Sequence, residues 1–147
     1  MTALSSELRS NIVTEDDAVR IVRSYVEGLF PKDCPRCGRR FASLPEYLRS
    51  TTHLGSPTLY EGAGDEASAS PLGPIAHATC SCGNTLTISS AGLPKPQLVE
   101  LIQWAKADSI RRSIGMTELL RRLRDRIDRE ALRDDECSSL MRRRLND

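Results

Sequence analysis

Aromatic side chains are scarce in this chain. One Trp, two Phe and three Tyr make up 4% of 147 residues, so any core must rest on Leu, Ile, Val and Ala. Net charge is almost absent as well, at +1, and that removes the general signature of a polyanion-binding protein. The halves differ only mildly: residues 1–93 carry eight basic and ten acidic groups, residues 94–147 thirteen and ten. No apolar run approaches the ~18 residues needed to cross a bilayer. Met1 to Ser10 lacks the charged start and apolar middle of a signal peptide, so the expected compartment is the cytoplasm, with no membrane association. Also missing are a serine nucleophile elbow, a phosphate-binding glycine loop and an HExxH pair. The expectation is therefore a protein that is not an enzyme.

What is present is a pair of cysteine knuckles. Cys34-Pro35-Arg36-Cys37-Gly38 is answered by Cys80-Ser81-Cys82-Gly83. In a reducing compartment close cysteine pairs are metal ligands or redox groups rather than structural disulfides. A tetrahedral zinc ion takes four sulfur or imidazole ligands, and Cys34, Cys37, Cys80 and Cys82 form the first candidate set. The second pair has one intervening residue where the first has two. That short spacing strains two sulfurs on one ion, so His53 is an alternative ligand in place of Cys80 or Cys82, with His77 a weaker outsider. Four cysteines also suit an iron–sulfur cluster. Compact Cys-Gly knuckles favour Zn2+ as the cofactor. Four thiolates leave no open position for water or substrate, which makes the site structural rather than catalytic. A helix, not a strand, precedes CPRC, which argues against a thioredoxin-like redox pair. Cys137 stands alone and reads as a partly buried small residue.

These knuckles resemble the zinc-ribbon and zinc-finger family of small metal-binding modules. The likeness covers residues 34–53 and 79–88, about a fifth of the chain. Cys34 to Phe41 is also similar to the opening of a Cys2His2 finger, with Phe41 and Tyr47 at or near core positions. Ser50 stands where the first histidine of such a finger would fall, and His53 is close to the second histidine's place but not on it. A ribbon needs no histidine and fits better. The resemblance implies a zinc-bound β module.

The rest of the chain reads as helix on either side. Thr14-Glu15-Asp16-Asp17 is a capped, acidic helix start, and Ala18, Val19, Val22, Tyr25, Val26 and Leu29 follow at helical spacing. This predicts a helix over about 15–29, after a frayed start at 1–12. Ser43 caps a short helix from Leu44. Residues 55–74 are small, polar and turn-prone, and predict a long flexible loop. Residues 75–89 alternate as a β-hairpin. From Pro96 the chain is helical. Gly115 breaks it, Thr117 is a candidate N-cap, and Leu119, Leu120, Leu123, Ile127, Ala131 and Leu132 form a new stripe. Asp134-Asp135-Glu136 oppose the helix dipole at a C-terminus and predict a separate last helix over 135–145.

The fold class expected is α+β: a small zinc-ribbon-like β module flanked by an N-terminal helix and a C-terminal helical region. The divisions are 1–31, 32–93 with the loop 55–74, and 94–147. The expected role is a zinc-stabilised adaptor or regulatory protein that binds a partner protein, with a homodimer through 117–133 as one form. The alternative is a nucleic-acid-binding transcriptional regulator using Arg36, Arg39, Arg40, Arg121 and Arg122, with Arg111, Arg112 and Arg142 to Arg144. Interleaved acids and few aromatics for base stacking weigh against it.

Overall fold

The computed structural model describes residues 12, 14–60 and 73–146. The expected frayed start at 1–12 and the middle of the expected loop, 61–72, lie almost wholly outside them. Helix α1 spans Glu15–Glu27. It starts where the sequence says it should: the Thr14 hydroxyl accepts from the Asp17 N–H, and the Asp17 carboxylate accepts from the Thr14 N–H. Its inner face buries Ala18, Val19, Ile21, Val22 and Val26. Short strands β1 (Lys32–Asp33) and β2 (Arg40–Phe41) pair antiparallel around the first knuckle. Helix α2 (Leu44–Ser50) follows, capped by Ser43, and buries Leu44 and Tyr47.

Next comes a four-stranded sheet. Its centre is β5 (Gly73–Cys80), which pairs along one edge with β6 (Thr85–Ser89) in the expected hairpin. The other edge carries β3 (Thr51–His53) and β4 (Thr58–Tyr60) end to end, both antiparallel to β5. The bond from Leu54 N–H to the His77 carbonyl bridges the gap between them. The expected flexible loop at 55–74 is thus corrected at both ends, where Thr58–Tyr60 pairs with residues from Gly73 to Ile75. An unpaired edge of β5 supplies the hydrogen bonds that a Gly- and Pro-rich sequence does not advertise.

Helix α3 (Lys95–Arg112) buries Leu98, Leu101, Ile102, Trp104 and Ala105. It ends at Ser113, whose φ of 57° turns the chain back. Helix α4 then runs without interruption over Met116–Asn146. Thr117 lies inside it rather than at its cap, and no break separates 117–133 from 135–145. The acids that argued for a break are neutralised from elsewhere. Asp134 lies 2.8 Å from the Arg23 guanidinium of α1, and Asp135 lies 2.7 Å from that of Arg49 in α2. With those carboxylates paired, the dipole penalty is offset and the helix continues.

Leu119, Leu120, Leu123, Ile127 and Ala131 of α4 are buried against the other elements. The face expected to serve a homodimer at 117–133 is therefore filled by the chain's own core. α4 touches α1, α2, α3 and β4. Its polar flanks do the same in ionic form. Arg126 lies 2.7 Å from Glu15, 2.9 Å from Glu130, and in contact with Asp16. Arg112 of α3 reaches the same Glu15 at 2.8 Å and buried Asp108 at 2.8 Å. Burial raises the Glu15 pKa, but the guanidiniums of Arg126 and Arg112 outweigh it and leave the carboxyl below its usual range. The whole is an α+β fold with its helices packed on a small antiparallel sheet.

Replacing Arg126 with Met keeps the helix propensity and takes one cation from three carboxylates, of which Glu15 keeps Arg112. It is expected to lower unfolding free energy by about 1–2 kcal/mol at pH 7. Glu15 has a depressed folded pKa, so its contribution is present above the ordinary value of 4.5 and is lost as pH falls through the lower folded value. Denaturant titrations should show the gap between wild type and variant closing in that acid range, and a gap that stays constant would contradict the assignment.

Candidate metal centre

The first knuckle grows out of β1 and returns through β2. The Cys34 N–H donates to the Arg39 carbonyl at 2.8 Å, and the Gly38 N–H donates to the Cys34 carbonyl at 2.8 Å. The second knuckle is the turn between β5 and β6. The Cys80 N–H donates to the Asn84 carbonyl at 2.9 Å, and the Gly83 N–H donates to the Cys80 carbonyl at 2.8 Å. The two are the same device with one residue removed. In each, the first cysteine bonds to the carbonyl just after the glycine, and the glycine bonds back to the first cysteine. Gly38 has φ 77° and Gly83 has φ 94°, which is why a glycine directly follows each second cysteine. The shorter Cys-Ser-Cys turn therefore delivers both of its sulfurs to the cluster.

All four sulfurs lie within 4.8 Å of one another. Two pairs cross between the knuckles: Cys34 Sγ to Cys82 Sγ at 3.7 Å, and Cys37 Sγ to Cys80 Sγ at 3.7 Å. That is far beyond the ~2.05 Å of a disulfide. It matches the edge, ~3.8 Å, of a tetrahedron of thiolates each ~2.3 Å from a central ion. The donor set thus fits a single metal ion. Asn84 Nδ2 adds a donor to Cys34 Sγ at 3.7 Å and ties one knuckle to the other.

The electrostatics call for a cation. Cys34 is drawn down to about 6, first by the backbone N–H of Cys37, then by that of Arg36 and by neighbouring thiols, against the effect of burial. Cys80 is lowered too, first by the N–H of Cys82. Cys37 goes the other way, up to about 11: the Arg39 N–H lowers it, but desolvation and the three neighbouring sulfurs outweigh that. Four thiolates this close cannot all be charged unless positive charge sits among them.

Beneath the knuckle lies an aromatic cluster. Phe41 is fully buried and meets Tyr47 edge-on at 5.3 Å, and Phe30 meets Tyr47 at 5.5 Å. Half of the chain's aromatic residues are spent here. Burial, reinforced by the charges of Asp128 and Cys80, pushes the Tyr47 phenol up to about 12.

His53 is not among the clustered ligands. Its Nε2 lies 2.7 Å from Asp128 Oδ2 of α4, so its imidazole locks the sheet edge to the helix. His77 Nδ1 lies 3.0 Å from Thr87 Oγ1 across the hairpin. Cys137 is exposed on α4 rather than partly buried, because the body of the protein ends before it. The candidate nucleic-acid arginines are dispersed and mostly paired. Arg121 and Arg122 both engage Glu118, the latter at 2.8 Å. Arg40 pairs with Asp33 at 3.5 Å, while Arg39 bonds to Ser50 and sits 5.6 Å over the Phe41 ring. Arg111 and Arg112 engage Asp108. Arg36 is exposed at the knuckle.

Comparison with known proteins finds no matching family model, no similar curated protein and no similar solved structure. Among the described residues no helix is long and apolar enough to cross a membrane.

Two outcomes check the centre. With metal bound, four thiols should resist alkylation while Cys137 reacts, and chelation should release those four, leave all five reactive and melt the fold. Metal affinity should fall with decreasing pH, and fall more steeply below about 6, where Cys34 also takes a proton. Separately, Gly83→Ala meets no atom within 4 Å, so its cost is conformational alone. It should lower stability by about 1 kcal/mol in thermal melts, with Gly38→Ala behaving alike.

Proposed function

We propose that this chain is a non-enzymatic, zinc-stabilised adaptor or regulatory protein that binds a partner protein. The observation that carries it is the closed set of four sulfurs from Cys34, Cys37, Cys80 and Cys82. A single tetrahedral ion with four thiolate ligands has no vacant position for substrate, which supports a structural role. Zinc suits four sulfurs in this geometry, and the tight spacing leaves less room for a cluster of several irons. The knuckles are those of a zinc-ribbon-like module, and reduced thiols of this kind belong in the cytoplasm.

Support for partner binding comes from the surface. Leu140, Met141 and Leu145 are exposed on α4 at 57%, 62% and 83%. Apolar side chains gathered on one exposed helix are a mark of interaction surfaces. Nucleic acid is the less favoured partner, because Arg39, Arg40, Arg121 and Arg122 already engage partners within the chain.

Elemental analysis of purified chain should give one zinc, and iron in its place would overturn the cofactor. Affinity capture with crosslinking should recover a partner protein that is lost on chelation. A monomer that captures nothing under either condition would overturn the adaptor role. Random duplex DNA at low salt should not bind, and binding with a steep salt dependence would favour the nucleic-acid alternative.

A further inference from the structure

The middle strand of the sheet is short of bulk on its inner face. Ala78 of β5 and Leu86 of β6 are paired and both are buried, so their face is the one turned to the helices. With a period of two, Ala76 shares that face, opposite Ile88. Inner positions of a strand favour branched side chains such as Val and Ile. Here two in succession hold alanine, and a cavity of about 90 Å³ remains between the sheet and helices α1, α2 and α4. Val22 and Val26 close it from α1, Leu44 from α2, and Leu123 and Ile127 from α4. All five are buried, so the inner wall is apolar. The lining turns polar at its more exposed part, with His53, Asp128 and Arg124. None of the four clustered cysteines is among the described residues that line it.

Size and charge narrow what enters. The space is about three times a water's share of ~30 Å³, and smaller than the ~150 Å³ of an apolar cavity that encloses benzene. A single ring therefore fits with one end at the polar rim. The charges at that rim are already engaged. Asp128 Oδ2 lies 2.7 Å from His53 Nε2, and Arg124 donates to the Gly55 carbonyl at 2.9 Å and to Asp125 at 3.1 Å. An ionised ligand finds no free counter-charge there, whereas a neutral one avoids that desolvation cost. One acceptor is left over. A carboxylate only accepts, so in the neutral imidazole Nε2 carries the proton toward Asp128 and Nδ1 is bare. Among the described residues Nδ1 has no partner. A hydroxyl on the ligand satisfies it.

We propose that this cavity is a binding site for a small neutral molecule, one apolar ring in size, that carries a single hydroxyl for His53. Simple phenols are the class. The site goes beyond the metal-centred reading of the protein and does not depend on it. Empty space of this size weakens a core, so an occupant stabilises the fold.

Titration of phenol and toluene into the intact, metal-loaded chain, followed by methyl NMR, tests it. Phenol should shift the Val22, Ile88 and Leu123 methyls saturably, with Kd on the order of 1 mM. Ala76→Leu fills the space from the sheet side, and should weaken both probes at least tenfold with metal content unchanged. His53→Leu keeps bulk at the rim and removes the acceptor. Phenol should then bind about fivefold more weakly while toluene stays within about twofold. Each probe is compared with itself across variants, so the different hydration of the two cancels. Absence of a saturable shift in the wild type up to about 20 mM phenol overturns the proposal. So does undiminished binding by a folded, metal-loaded Ala76→Leu chain. Equal loss of both probes in His53→Leu, or loss of neither, overturns the hydroxyl assignment. Each of these failures leaves four protected thiols and bound metal as they were, so the metal centre is judged separately.

Discussion

The fold depends on one closure. Two turns that lie 43 to 48 residues apart must bring four sulfurs together, and that meeting ties β1 and β2 to the β5–β6 hairpin. Closing a loop of this length costs about 3 kcal/mol of chain entropy. A bound metal at a thiolate site supplies an apparent ~10–16 kcal/mol. That exceeds both the closure cost and much of the ~5–15 kcal/mol net stability of ordinary domains. With so few aromatics to fill a core, the chain concentrates Phe30, Phe41 and Tyr47 under the first knuckle. The clip and the cluster are adjacent, so ordering one orders the other.

Helix α4 is the second organising part, and it works by different physics. One side is apolar and buried. The flanks carry charges that reach across to α1, α2 and the sheet edge through Arg126, Asp134, Asp135 and Asp128. Exposed ion pairs are individually weak, but here they are partly buried and share partners. Arg126 alone serves three carboxylates, and Glu15 serves two arginines. Among the arginines of this helix, Arg124 and Arg126 fasten it to other elements, while Arg121 and Arg122 pair with Glu118 of the same helix.

Much of this was readable in the sequence where the signal is local. The Thr14–Asp17 cap, the Ser43 cap and the alternation of 75–89 depend on residues a few positions apart, and each element formed where expected. The α+β class follows from the same local signals. What was not readable depends on partners far along the chain. Strands β3 and β4 exist because β5 offers an edge. The break expected at Asp134 to Glu136 is absent because Arg23 and Arg49 come from other elements. His53 stands outside the cluster of four sulfurs because its imidazole meets Asp128, 75 residues away. The Cys-Ser-Cys spacing looked strained because residue counting does not show that the carbonyl closing the turn moves with the glycine.

The reach of the Glu15–Arg126 contact has a bearing on how the chain is made. Its two ends are 111 residues apart, and the Arg23–Asp134 pair spans the chain similarly. During synthesis α1 leaves the ribosome long before α4 exists, so its apolar face must wait without the surface that covers it. The knuckles, complete once Cys82 has emerged, can close earlier and hold the middle of the chain together. Vectorial production thus favours an order in which the sulfur-lined turn matures first and the terminal helix arrives last, sealing a groove that the earlier segments have already assembled.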